Sequence, residues 1–152
     1  GMYELLKRPA LYQRLRDHPE KLPLAIEEML RWTCPLHYFR RTATCDTEIR
    51  GQKIKAGDRV VMLYSSANFD EEVFADPMNF DITREHNPHM AFGYGIHLCL
   101  GANLARMEAR AFFEEFFQHF SSIEASAQPV YIRSNSIHGF KDMPVLLTPH
   151  GC

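Results

Sequence analysis

The stretch Phe92–Gly101, FGYGIHLCLG, sets three glycines around an aromatic, a histidine and a single cysteine, and runs straight into ANLARMEARAFFEEFFQHF. Glycine in a loop costs backbone entropy and is kept where the chain must turn sharply or where something bulky must come close. The following segment carries Leu104, Ala105, Ala109, Phe112, Phe113, Phe116, Phe117 and Phe120 on one wide apolar stripe, which predicts a helix from Leu100 to about Phe120 packed into the core. A bare loop delivering one sulfur to the mouth of a long helix is the feature around which the rest of the fold has to be arranged. A helix N-terminus favours an anion, so a sulfur held there is suited to act as a thiolate.

Upstream, Tyr3 to Arg16 carries Leu5, Leu6, Leu11 and Leu15 and is broken by Pro9, predicting two short helical pieces. DHPEKLP is a proline-punctuated connection, after which a helix is expected from near Pro23 to just before Pro35. From Phe39 to Leu63 the texture changes to alternation, β-branched residues and turn signals at Arg50-Gly51 and Ala56-Gly57-Asp58, as expected of short strands joined by tight turns. YSSANFDEEVFADPMNFDITREHNPH predicts a long, largely irregular connection, of the kind that is functional or wraps another group. The tail PVYIRSNSIHGFKDMPVLLTP predicts short strands with a turn around His138-Gly139.

With 152 residues the chain is long enough for one domain with a real core, and a formal net charge of −2 with no basic run gives no footprint for nucleic acid. No apolar stretch approaches the length of a membrane span, and the opening residues lack a signal-peptide layout, so a cytoplasmic protein with no membrane partner is expected. The four cysteines, Cys34, Cys45, Cys99 and Cys152, form no C-x-x-C pair, which favours a reducing compartment.

Three chemistries share the Cys99 loop. A cysteine hydrolase would pair the sulfur with a histidine base, but His97 is two residues away and no nucleophile signature accompanies it. A zinc site could draw on His86, His89, His97 and Cys99, though their spacing matches none of the common structural patterns. A thiolate on haem iron needs one cysteine, a backbone stripped of side chains and apolar surroundings, with other groups left for the charged edge of the porphyrin. The sequence supplies all of these.

FGYGIHLCLGANLAR resembles the haem-thiolate signature of the cytochrome P450 monooxygenases, F-G-x-G-x-H-x-C-x-G-x-x-L-A-R, at every fixed position, in the variant typical of soluble bacterial members. AIEEMLRW resembles the E-x-x-R helix of that family, FRRTATCDTEIRGQKIKAGDRVV its following small sheet, SANFDEEVFADPMNFDITR its meander, and NPHMAFG the approach to the cysteine loop. The resemblance implies a mainly α fold with small β-sheets, residues 1–152 forming the C-terminal haem-thiolate portion of a P450 domain without its N-terminal helices and most of its long distal helix. It implies haem b (iron protoporphyrin IX) with Cys99 as the axial ligand to the iron. Phe92 would shield the sulfur, Gly101 would keep the backbone close to sulfur and ring, Gly93 would belong to the cofactor-binding set, and His97 and Arg41 would bind propionates. Pro35, Leu36 and Phe39, with Ser136, Ile137 and His138, match two substrate-lining segments.

Glu28 and Arg31 would brace the meander. Asn79 stands where the family usually carries an arginine or histidine, so the brace is expected to lack one charge. The acid–alcohol pair that delivers protons to bound oxygen is expected outside this stretch. The implied activity is insertion of one oxygen atom from O2 into a small apolar substrate, with electrons from a ferredoxin-type donor. The alternative is a haem-free, inactive domain that folds and self-associates through exposed apolar surface. Taken without their neighbours, Glu28–Arg31 reads as a surface pair, Arg41 as a strand-edge charge, His97 as a satisfied loop histidine, and Cys34, Cys45 and Cys152 as bystanders.

Overall fold

The computed structural model describes residues 1–151; Cys152 lies outside the described residues. Two short helices, α1 (Met2–Lys7) and α2 (Pro9–Asp17), are separated by Arg8, whose φ of −134° breaks the helical path ahead of the proline. A single 3₁₀ turn at Pro19–Lys21 leads into α3 (Leu22–Thr33), with Pro23 in its first turn, where a missing N–H costs nothing. Cys34 ends α3 in a left-handed conformation, φ 38°, and turns the chain toward the first sheet.

Strand β1 (Tyr38–Thr42) pairs antiparallel with β4 (Arg59–Leu63), with Arg41 opposite Val60. Between them β2 (Thr47–Ile49) and β3 (Gln52–Ile54) form a hairpin on a two-residue turn in which Arg50 and Gly51 both have positive φ, 48° and 82°. After a four-residue helix, α4 (Tyr64–Ala67), the chain is irregular until the turn Gly95–His97, as the long proline-containing connection predicted.

Helix α5 (Ala102–His119) begins two residues later than expected, because Gly101 serves as its N-cap and Cys99 belongs to the preceding turn. It runs directly into β5 (Phe120–Ala125), a strand absent from the sequence-based expectation, which pairs with β8 (Val145–Pro149). β6 (Val130–Tyr131) and β7 (Phe140–Asp142) form the last small pair, on either side of the His138-Gly139 turn.

The core gathers Leu5, Tyr12, Leu15, Leu22, Ala25, Ile26 and Met29 from the first three helices against Phe113 and Phe117 of α5, Phe80 and Ile82 of the meander, and Ile123 of β5. The apolar stripe of α5 is thus divided. Phe113 and Phe117 face inward with Ala109 and Phe116 against them, whereas Leu104 and Phe112 point outward at more than half exposure, contrary to a wholly buried stripe. Among the described residues no helix is long and apolar enough to cross a membrane.

Candidate haem-thiolate site

Helix α3 carries two adjacent carboxylates that fasten two different loops. Glu28 and Arg31, one turn apart, are both fully buried and joined as a fork, Nε–Oε2 and Nη2–Oε1 both 2.7 Å. A buried pair is tolerated only when its remaining hydrogen-bonding capacity is met, and here the meander meets it. Arg31 donates to the carbonyls of Asn68, Pro77 and Asn79 at 2.8, 3.0 and 3.3 Å, and Glu28 accepts the Asp81 N–H at 2.9 Å.

Asn79 therefore takes part through its backbone oxygen, not its amide. The missing cation comes from Arg84, whose Nε lies 3.2 Å from Glu28 Oε2, and Asn87 adds an amide N–H at 3.2 Å. The brace is complete in charge, contrary to the expectation from position 79. Asn68, which drew no notice in the sequence, extends it toward the cysteine loop: fully buried, it donates to Arg31 O at 3.0 Å and accepts the Met90 N–H at 2.6 Å.

Past Met90 the loop folds over itself. Cys99 N–H donates to Phe92 O at 2.9 Å and Leu98 N–H to Gly95 O at 3.0 Å, which turns the sulfur outward beside Phe92. Gly93 has φ 72°, and a Cβ built there would stand 3.3 Å from the Tyr64 hydroxyl, so both conformation and space call for glycine. Gly101 has an ordinary φ of −86°, and the nearest atom to a Cβ there is the Cys99 sulfur at 3.9 Å. Its bareness serves clearance beside the sulfur.

Two cavities meet at this loop and share Phe92, Gly93 and Cys99. One, of about 440 Å³, is lined by Pro35, Leu36, Phe39, Tyr64 and Ala91, together with Arg41 and His97. Phe39 and Arg41 reach it together because alternate residues of β1 share a face; Arg40 lies on the other side. The second, of about 450 Å³, is lined by His89, Leu98, Leu100, Ala102, Asn103 and Arg106.

Ser136, Ile137 and His138 do not line the cavity, but the backbone ties them to its wall. His37 N–H donates to Ser136 O at 3.0 Å, His138 N–H to Pro35 O at 2.8 Å, and Leu36 bridges Ile137. His138 Nδ1 sits 2.7 Å from Thr33 O, and its ring stacks on His37 at 5.2 Å. The two segments matched from the sequence thus lie side by side across 100 positions of chain.

The donor set speaks for a flat, charged-edged ring more than for a bare ion. Among the described residues no three His, Cys, Asp or Glu side chains gather closely enough to hold a metal, and His89, a member of the zinc alternative, is engaged by Glu27 at 3.0 Å. A lone sulfur can hold a metal whose other ligands are brought with it, and Arg41 and His97, in the same mostly apolar lining, carry N–H groups of the kind that carboxylates accept. These residues fit haem b.

Residues 11–140 match the profile of cytochrome P450. The chain belongs to the cytochrome P450 family. It is 44% identical over 144 residues to cytochrome P450-terp of a Pseudomonas species, covering 95% of this chain and 34% of that protein. It is 50% identical over 124 residues to the methyl-branched lipid omega-hydroxylase of Mycobacterium bovis, covering 81% of this chain and 29% of that one. The crystal structure of CYP109E1 from Bacillus megaterium in complex with testosterone superposes with a TM-score of 0.91 at 39% identity, over 95% of this chain and 41% of its own. The P450 fold is therefore present over nearly the whole of this chain, which spans about a third of the length of the curated relatives. Haem b is the cofactor of the family, and the mainly α architecture with small sheets agrees with the expected fold.

Two further residues of the site escaped the sequence reading. Tyr64, in the cavity wall, carries no motif of its own. Arg106 lies inside the quoted signature, yet only the fold reveals its partners: Glu27, through Nε–Oε1 at 2.6 Å and Nη2–Oε2 at 2.8 Å, and the ring of Phe92, 4.7 Å from the guanidinium carbon. Burial by itself would raise the Glu27 pKa, but the hydrogen bonds from Arg106 and His89, with the charge of Arg106, outweigh it and hold the carboxyl down at about 2.

Proposed function

We propose that this chain is the cysteine-side, C-terminal portion of a haem-thiolate monooxygenase, residues 1–152 carrying the axial ligand, the propionate cations and part of the substrate wall. The observation that carries the reading is the shared cavity edge, where Cys99 and Phe92 meet a wall holding Arg41, His97 and five apolar residues. Bound haem supplies oxygen activation: O2, two electrons and two protons convert a C–H bond to C–OH and release water. Cys99 presents one sulfur as ligand. Arg41 and His97 orient the ring through its carboxylates, and Phe92 limits water at the sulfur.

Pro35, Leu36 and Phe39 form the apolar substrate wall, and Ser136, Ile137 and His138 hold that wall from behind by their backbone bonds. A small apolar substrate follows from this lining. It agrees with relatives named for a methyl-branched lipid and solved with testosterone. A ferredoxin-type protein is the electron donor in this reading, and the compartment is the bacterial cytoplasm.

The test is spectroscopic. Protein loaded with haem, reduced and exposed to carbon monoxide is expected to show the strongly red-shifted Soret band of thiolate ligation, and Cys99→Ser to lose it. An unshifted band in the parent, or an unchanged one in the variant, overturns the assignment and leaves the haem-free folding module as the reading.

A further inference from the structure

We infer that Glu27 and Arg106 form a clamp that sets the position of Phe92 and thereby the water exposure of the Cys99 sulfur; this rests on the haem-thiolate reading above. Phe92 has two polar neighbours. The Arg106 guanidinium carbon lies 4.7 Å from its ring centre, and the His89 ring lies with its centroid 6.1 Å away. Both neighbours are fixed by one carboxylate. Glu27 takes Arg106 as a two-point fork at 2.6 and 2.8 Å and receives His89 Nε2 at 3.0 Å.

The His89 side chain is almost wholly buried, and its Nδ1 accepts the Ala91 N–H at 3.3 Å, so Nε2 carries the proton given to Glu27. Arg106 projects from the second turn of α5, Glu27 from the middle of α3, and His89 from the loop, so three elements converge on one ring. The same ring shares both cavity walls with Cys99, and its carbonyl accepts the Cys99 N–H at 2.9 Å. A shift of Phe92 therefore opens the sulfur to water and loosens the loop that presents it.

This geometry uses the guanidinium for two tasks at once: two hydrogen bonds to Glu27, from Nε and Nη2, and a cation over the aromatic ring. An ammonium keeps the charge but cannot supply the two-point fork. Arg106 and Glu27 are positioning residues in this sense, acting on the sulfur through Phe92.

The experiment follows the ferrous carbon monoxide spectrum of haem-loaded protein over time, together with the midpoint potential, for the parent, Arg106→Lys, Glu27→Gln, Phe92→Ala and the double variant Arg106→Lys/Phe92→Ala. Decay of the red-shifted band to the ordinary one is expected to be about tenfold faster in Arg106→Lys and in Glu27→Gln, the range typical of losing a residue that orients a metal ligand. The Arg106→Lys effect is expected to vanish when Phe92 is already alanine. Arg110→Gln, which removes only the exposed pair with Glu114, is expected to match the parent. Circular dichroism confirms that each variant is folded.

An Arg106→Lys effect equally large without the Phe92 ring overturns the clamp, as does parent-like decay and potential in both Arg106→Lys and Glu27→Gln. A parent that shows no red-shifted band overturns the haem-thiolate reading first and the clamp with it.

Discussion

At the scale of single residues, two neighbouring carboxylates on α3 differ sharply in what holds them. Glu28 has no exposed surface and answers two arginines, a backbone N–H and an amide. Neutralising it strands the buried Arg31 guanidinium. Glu28→Gln is expected to cost about 3–5 kcal/mol, the usual result of removing one partner of a buried pair, measured by urea unfolding; a loss under about 1 kcal/mol would return the pair to the surface class.

Glu27 is partly exposed, and its worth depends on pH. Its carboxyl titrates near 2 in the folded chain against an ordinary 4.5. The unfolded state therefore binds its proton first as pH falls, and the stabilisation is complete above about 4.5 and gone below about 2. Because both partners reach solvent, about 1 kcal/mol is expected from it. Glu27→Gln should flatten the acid limb of a stability-against-pH curve by that amount while leaving the shape above pH 5 unchanged.

At the scale of elements, the cysteine loop uses its glycines for different reasons, and substitution separates them. Gly93→Ala forces a side chain into φ 72° against the Tyr64 hydroxyl and is expected to lower stability by about 1–2 kcal/mol even without cofactor. Gly101→Ala meets only the sulfur at 3.9 Å and should barely move the melting temperature of the haem-free protein, yet reduce haem uptake in a titration. Equal melting temperatures for both variants would contradict the distinction.

The loop was legible because its chemistry is local: the sulfur, the glycines and the helix behind them are consecutive. The paired helices, α3 and the hairpin turn at Arg50-Gly51 were legible for the same reason, through prolines, glycine and periodicity. What stayed hidden depends on distance in sequence. Arg84 replaces the cation expected at position 79 only because the meander folds back on α3, and the Glu27–Arg106 fork joins positions 79 apart. β5 was missed because FSSIEA follows the helix without a turn signal and owes its extended form to pairing with β8.

At the scale of the whole molecule, the two sides of α5 are unequal in a way that predicts association. Phe113 and Phe117 complete the core, but Leu104, Met107 and Phe112 are each more than half exposed on the other side. Leu100 and Ile96, in the loop just before the helix, are almost wholly bare. Leu104, Met107 and Ala111 follow the three- and four-residue spacing that places side chains on one helical face. Exposed apolar side chains gathered on one helical side in this way favour contact with an apolar surface at hand.

The chain is therefore expected to self-associate and to bind an apolar dye. Leu104→Gln with Met107→Lys should shift sedimentation toward the monomer. Because neither residue packs in the core, the pair should change unfolding free energy by less than about 1 kcal/mol. A parent chain that sediments as a clean monomer without dye binding would show that this face is less exposed in solution than its geometry implies. A variant that stays associated would place the contact elsewhere, with the exposed Val61 and Leu63 of β4 the next surface to change.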